Sequence, residues 1–331
     1  MNIGPEGEQR ALLMKERWRL DGPAPLSLVR KHRPEGPSRP PVLLVHGFAQ
    51  NRYSWHTGHR SVSGWLAEAG FDVWNLELRG HGNSRNEGQL GAERFDDYAE
   101  DVDRALSALP ASAFAVGHSL GGAAVYAAAG RRAARGAPLR GAVGIAAIYG
   151  FGKGNAWIRG LAKLTHQLEG SRWAGALQVR SRLFGKALGQ LTGVTDLLGY
   201  GAPLSGWWPG SVEPELLAER LEGGFDWTSL RVWQEMSRWA STGRFDGENE
   251  DYDALWHACT TPCLVMLGDR DALLPAEDGR LAFTRSGAVD RTVLLFDDWT
   301  TGTHWGHLDI VLGRAAPTHV WPALRDWMAA R

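Results

Sequence analysis

The sequence predicts an α/β fold: a mostly parallel central sheet flanked by helices, with a large helical insertion between two of its core strands. Three observations predict it. Short apolar runs alternate with segments of helical spacing along most of the 331 residues. Such alternation puts parallel strands in the middle and helices on both faces. The frame Gly117-His118-Ser119-Leu120-Gly121 lies between an apolar run and a small-residue run, the context of a strand, a sharp turn and a helix. Residues 150–258 then break the alternation for longer than a simple crossover loop allows.

Residues 17–20 and 26–29 read as two short strands, split by the turn residues Asp21-Gly22-Pro23. A Pro-rich connector, residues 32–41, leads to the first parallel strand at 42–45. Residues 61–69 read as a helix and 71–76 as a strand. Over residues 95–109, Phe95, Tyr98, Ala99, Val102 and Leu106 share one helical face. Strands are expected at 113–117 and 141–147, and the small residues 123–129 form a helix between them. Beyond the insertion, 263–267 and 292–296 are the last strands. Residues 318–330 close the chain as a helix carrying Val320, Leu324 and Trp327. The division that follows is a core of residues 1–149 and 259–331 and a Trp-rich cap of residues 150–258.

The motifs fall at the ends of these strands. His46-Gly47-Phe48 follows the first parallel strand. Leu78-Arg79-Gly80-His81-Gly82-Asn83-Ser84 follows the next, and the Gly117–Gly121 frame the third. Gly117 and Gly121 leave no side chain where the chain turns back on itself. Ser119 is then held at the end of a strand, beside the positive end of a helix. After 263–267 comes Gly268-Asp269-Arg270-Asp271, and after 292–296 a loop holding His304 and Gly306-His307-Leu308-Asp309.

In this order the motifs resemble those of the α/β-hydrolase fold superfamily, over residue 40 to the C-terminus apart from the insertion. The stretch His307-Leu308-Asp309-Ile310-Val311-Leu312-Gly313 is also similar to the histidine region of acid lipases. The resemblance implies a catalytic triad in the order Ser, Asp, His, with Ser119 as nucleophile. For the acid, Asp271 is favoured over Asp269, because Gly268 and the two residues after it make a turn that aims Asp271 back at the site. Asp269 is expected to cap or brace that turn. For the base, His307 is favoured over His304, which is expected to line the pocket or bond a loop carbonyl. The oxyanion hole would be the backbone N–H groups of Phe48 and Leu120.

The implied activity is hydrolysis of carboxylic esters with apolar acyl or aromatic groups, through an acyl-enzyme. Serine at the elbow speaks against haloalkane dehalogenase or epoxide hydrolase chemistry, which uses aspartate there in the resembling families. Acyl transfer to another alcohol and carbon–carbon bond hydrolysis use the same triad, and a non-catalytic binding protein on this fold is a further alternative. The insertion holds eight of the 16 tryptophans. These either glue it to the core or wall a cleft, Trp207 and Trp208 being candidates for the pocket. Its first half is basic and its second acid-rich.

Lys and Arg total 36 against 37 Asp and Glu, a balance that argues against electrostatic binding of nucleic acid. No apolar run is long enough to span a bilayer, and residues 1–10 lack the apolar stretch of a secretory signal. A small-molecule ester is the expected partner and the cytoplasm the expected compartment. No cofactor is expected, and no metal, since no His/Asp/Glu grouping has ligand spacing. Cys259 and Cys263 are expected to be reduced. His118 is read as filler beside the serine, His81 as a turn brace, and Asp309 as a support of the histidine loop. Trp55, His56 and His59 are possible at the pocket mouth, with surface residence favoured for the histidines.

Overall fold

Alternation of apolar side chains within the strands organises this molecule around both faces of one sheet. In a computed structural model, residues 12–86, 92, 94–150, 160, 178–180 and 206–331 are described. Their strands are β1 (Met14–Leu20), β2 (Leu26–His32), β3 (Arg39–Val45), β4 (Phe71–Glu77), β5 (Phe114–His118), β6 (Gly141–Ile145), β7 (Gln178–Arg180), β8 (Trp227–Ser229), β9 (Cys263–Gly268) and β10 (Arg291–Phe296). Eight of them form a sheet in the order β1-β2-β4-β3-β5-β6-β9-β10, and β7 pairs with β8 alone. The β1–β2 and β2–β4 pairs are antiparallel. All other pairs in the large sheet are parallel.

Side chains two apart on a strand share a face. Val42 and Leu44 of β3 therefore join one buried cluster, with Val116, Val143, Leu264 and Met266. Leu43 and Val45 join the other, with Ala115, Ala142 and Val265. The first face is covered by α1 (Val62–Glu68) and the C-terminal helix, whose Leu66, Val320, Leu324 and Trp327 are buried there. The second is covered by α2 (Phe95–Ala108) and α3 (Leu120–Ala134). In α2 the expected stripe of Phe95, Tyr98, Ala99, Val102 and Leu106 is buried.

The strands run longer than their apolar runs. Hairpin pairing carries β1 back to Met14 and β2 on to His32. The expected Pro-rich connector shrinks because β3 begins at Arg39, and the β3–β4 register shifts between Arg39 and Pro41. Pro40 between them has no N–H to give the ladder. Trp55, named with His56 and His59 as possible at a pocket mouth, is fully buried in the core. His56 is half-buried and bonds Ser61 Oγ (2.9 Å), while His59 is exposed beside Glu219. Cys259 and Cys263 are free thiols, both buried.

The described part of the insertion contains α4 (Pro214–Gly224), α5 (Leu230–Thr242) and α6 (Tyr252–Ala258). Its chain leaves from β6 and returns to β9, two strands paired side by side. Trp239 packs edge-on against Phe95 (4.7 Å between centroids), and Trp256 packs tilted on Tyr126 (4.6 Å). These two tryptophans glue the segment to α2 and α3. Trp157, Trp173 and most of the basic half of the insertion lie outside the described residues.

One carboxylate ties α5 to the core. Glu235 accepts the Phe95 N–H at the start of α2 (2.5 Å). Burial pushes its carboxyl up from 4.5 to about 7. The folded protein thus favours the neutral acid, so stability is lost as pH rises from 4.5 towards 7. Glu235→Gln keeps an acceptor and cannot ionise. It should match the wild type near pH 4.5 and exceed it in Tm by about 2–5 °C at pH 8. A Tm deficit for Glu235→Gln at pH 8, in thermal melts at both pH values, contradicts this account.

Candidate active site

Ser119 sits between β5 and α3 with φ 55° and ψ −125°, a conformation that L-residues seldom adopt. The surroundings over-determine it. Its N–H donates to Ile145 O (3.2 Å) on β6, and its carbonyl accepts from Gly122 and Ile148 N–H (3.0 and 3.1 Å). A Cβ on Gly117 would lie 2.3 Å from Gly121 O, and one on Gly121 would lie 2.3 Å from His46 O. Both glycines of the motif are therefore steric necessities. The serine is 8% exposed, at the N-terminus of a 15-residue helix.

Asp271 and His307 meet between the loops that follow β9 and β10. Asp271 Oδ1 accepts from the Leu273 and Leu274 N–H groups (2.9 and 2.8 Å), which fixes the carboxylate. Its Oδ2 receives His307 Nδ1 at 2.7 Å. That bond holds the proton on Nδ1 and leaves Nε2 as the basic nitrogen. Gly268 makes the approach possible, because Trp305 O is 2.4 Å from where its Cβ would be. Its role is thus close passage of the histidine loop, more than the turn expected of it. His118 is more than filler. It packs on the His307 ring (4.8 Å between centroids) and donates from Nε2 to His307 O (2.8 Å). Burial pushes the His118 imidazole well below its usual range, keeping it neutral. His307 is thereby held against the residue that immediately precedes Ser119.

The second aspartate and histidine form a separate pair. Asp269 takes His304 Nδ1 (2.5 Å) and the Trp305 N–H (2.9 Å). It braces the histidine loop more than its own turn, and His304, expected to line the pocket or bond a loop carbonyl, bonds this carboxylate. His304 Nε2 also lies 3.5 Å from Asp298. Donor atoms of Asp269, Asp298 and His304 fall within 4.8 Å of one another, a grouping that sequence spacing did not reveal. Trp208 stands edge-on to His304 (4.5 Å) with the Arg270 guanidinium over its ring (5.9 Å). Trp207 is buried in the core cluster.

The His46–Phe48 loop passes the serine on its other side. A Cβ on Gly47 would touch Ser119 Cβ at 2.9 Å. His46 Nε2 accepts the Leu78 N–H (3.1 Å), so its Nδ1–H donates to Gly47 O (2.9 Å). Burial holds this imidazole neutral too. His81 bonds Arg79 O (3.0 Å) and packs on His46, bracing the turn as expected. Neither the Phe48 nor the Leu120 N–H has a backbone acceptor among the described residues.

The insertion is strapped onto this loop, a connection invisible in the sequence. Gln50 and Phe225 form an antiparallel bridge. The Asp226 N–H donates to Ala49 O (2.8 Å), and Asn51 Nδ2 to Gly223 O (2.9 Å). Arg220 of α4 donates to Gln50 Oε1 (3.0 Å). Trp233 of α5 faces Phe48 (6.1 Å between centroids), a contact that composition alone did not single out.

A family model described as alpha/beta hydrolase fold matches residues 40–305. Bifunctional epoxide hydrolase 2 of Sus scrofa is 33% identical over 99 residues, which cover 30% of this chain and 17% of that protein. The chain thus spans under a fifth of that relative's length. A soluble variant of Saccharomyces cerevisiae monoglyceride lipase, solved with a substrate analogue, aligns with TM-score 0.67 and 14% identity over 98% of this chain and 99% of its own. A Paleococcus ferrophilus monoacylglycerol lipase aligns with TM-score 0.62 and 19% identity over 92% and 98%. At these identities the likeness to the solved structures is one of fold.

Asp309 supports the histidine loop from below. It accepts the Gly306 N–H (2.9 Å) and the Trp208 N–H (3.4 Å), and burial pushes its carboxyl up to about 6. Asp309→Ala strands buried donors and should cost about 2–4 kcal/mol in urea unfolding, with Asp309→Asn costing less. An alanine variant as stable as the wild type rules out that bracing role.

Proposed function

The chain belongs to the alpha/beta hydrolase fold family, and from that premise we propose that it hydrolyses carboxylic esters through an acyl-enzyme on Ser119. The observation that carries this reading is the 2.7 Å bond from His307 Nδ1 to Asp271, with the ring held against the residue before a serine in a strained turn. Ser119 Oγ attacks the ester carbonyl as His307 Nε2 takes its proton. Asp271 keeps the tautomer and stabilises the imidazolium. The carbonyl oxygen becomes an oxyanion, held by the Phe48 and Leu120 N–H groups. Collapse breaks the C–O bond, and His307 returns the proton to the departing alcohol. Water, deprotonated by the same nitrogen, then attacks the acyl-serine and releases the acid.

Serine, not a carboxylate, at the elbow favours an acyl intermediate over the chemistry named for the epoxide hydrolase relative. Two of the similar folds are named as lipases of monoacylglycerols, and an ester with an apolar acyl group fits the aromatic side chains nearby. Residues 150–258 act as a cap over a core of 1–149 and 259–331. Trp208 and Trp233 serve as apolar walls in this reading, and buried Trp207 serves packing. No helix among the described residues is long and apolar enough to cross a membrane.

Ser119→Ala should keep the wild-type Tm and lose at least about 10³-fold in p-nitrophenyl ester turnover. Asp271→Asn and His307→Ala should be similarly impaired, while Asp269→Asn and His304→Ala keep most activity. A folded Ser119→Ala protein with more than about a tenth of wild-type turnover ends the assignment. An active His307→Ala beside a dead His304→Ala moves the base to the other pair.

The acyl site makes a separate expectation. Each sheltered methylene adds up to about 0.8 kcal/mol, so kcat/KM should rise from acetate to medium acyl chains. Trp208→Ala should flatten that rise. If it lowers only Tm and leaves the chain-length profile unchanged, the ring is packing and no wall.

A further inference from the structure

Among the described residues, Arg220 is a buried cation with no anion at ion-pair distance. It lies on α4 and is 4% exposed. Nη2 donates to Gln50 Oε1 (3.0 Å) and Ser54 Oγ (3.2 Å), both neutral acceptors. Nη1 is buried without a partner. Burial pushes the guanidinium down to about 10, with no carboxylate to offset it. Three acids on the segments that meet α4 and the loop at 49–54 have other partners. Glu77 pairs with Arg52 (2.7 Å), Asp226 takes the Gly82 N–H (2.6 Å), and Glu219 takes the Gly58 N–H (2.6 Å).

This cation reaches the neighbourhood of the reactive serine through Gln50 and Gly47. A Cβ on Gly47 would lie 3.2 Å from Gln50 Oε1 and 2.9 Å from Ser119 Cβ. Arg220 is thus one hydrogen bond from an atom that shares a neighbour with the nucleophile. Its charge also reaches His46 and His118, helping to keep both imidazoles neutral. Stripping a guanidinium of water without a counter-ion is strongly unfavourable. The arrangement makes physical sense once an anion arrives with the substrate.

We propose that Arg220 recognises a carboxylate carried by the ester substrate, so that the preferred substrates are half-esters of dicarboxylic acids or similar anionic esters. The inference rests on the reading of Ser119 as an ester-cleaving nucleophile. A carboxylate fits better than a phosphate. One guanidinium, already half engaged by Gln50 and Ser54, matches a single planar charge and leaves a phosphate's further charge and oxygens unpaired.

The test compares substrates of equal chain length. Monoethyl glutarate is set against ethyl valerate, and monoethyl adipate against ethyl hexanoate, with kcat/KM followed by chromatography of the released acid. The wild type should prefer the charged member of a pair by about tenfold or more. Arg220→Met should lower that ratio by about tenfold whatever common loss both esters share, and Arg220→Lys should keep part of it. A wild type that favours the neutral esters overturns the proposal, and so does an unchanged ratio in Arg220→Met. The second result makes Arg220 a brace for Gln50 alone. If Arg220→Met does not fold, the wild-type ratio and Arg220→Lys decide. Absence of turnover on all four esters and on p-nitrophenyl butyrate overturns the hydrolase reading along with this one, and is distinct from turnover without preference.

Discussion

Everything near Ser119 depends on how closely three pieces of backbone approach one another. The end of β5, the first turn of α3 and the loop after β3 converge until only hydrogen fits at Gly117, Gly121 and Gly47. That crowding forces the positive φ at Ser119, and hydrogen bonds to Ile145, Gly122 and Ile148 hold it there. Strain of this kind persists only where the surroundings leave no alternative. The parallel sheet provides that rigidity, because β3, β5 and β6 are adjacent and buried on both faces. A methyl group at any of these glycines would move a strand end, and with it the loop on either side of the serine.

Two histidines and two aspartates in neighbouring loops are divided into two pairs by backbone donors. Asp271 turns inwards because the Leu273 and Leu274 N–H groups hold one oxygen. Asp269 turns to the histidine loop because the Trp305 N–H holds one of its own. The side chains are chemically identical, and the amides decide which histidine each one meets. His46 and His118 follow the same logic. Kept neutral by burial, each uses a ring N–H to fix a carbonyl, one at Gly47 and one at His307.

The sheet was legible in the sequence because its strands are apolar runs bounded by glycines and polar turns. The centres of β3, β4, β5, β9 and β10 fell where expected. At least one end of each lay one to three residues away, because pairing with a neighbour, not composition, decides where a strand stops. The motif residues were legible for a related reason: glycine, serine, histidine and aspartate at strand ends have few structural uses together. The roles of His118 and Asp269 were hidden, since each acts on a partner 189 or 36 residues away. Nor does tryptophan content separate glue from wall. Trp239 and Trp256 pack on the core while Trp208 stands beside His304, a difference set by tertiary contact alone.

The strap between residues 220–226 and the loop at 49–51 carries a consequence for access. Its bonds join the insertion to the same peptide segment that presents the Phe48 N–H. A strap that let go to admit a bulky molecule would also deprive that segment of these bonds. Entry and the order of that segment would then oppose each other in one equilibrium between an open and a closed strap. A ligand that contacts both sides of the strap draws the molecule towards the closed state by its differential affinity alone. In such a design the affinity for a ligand and the order of the machinery around it rise together.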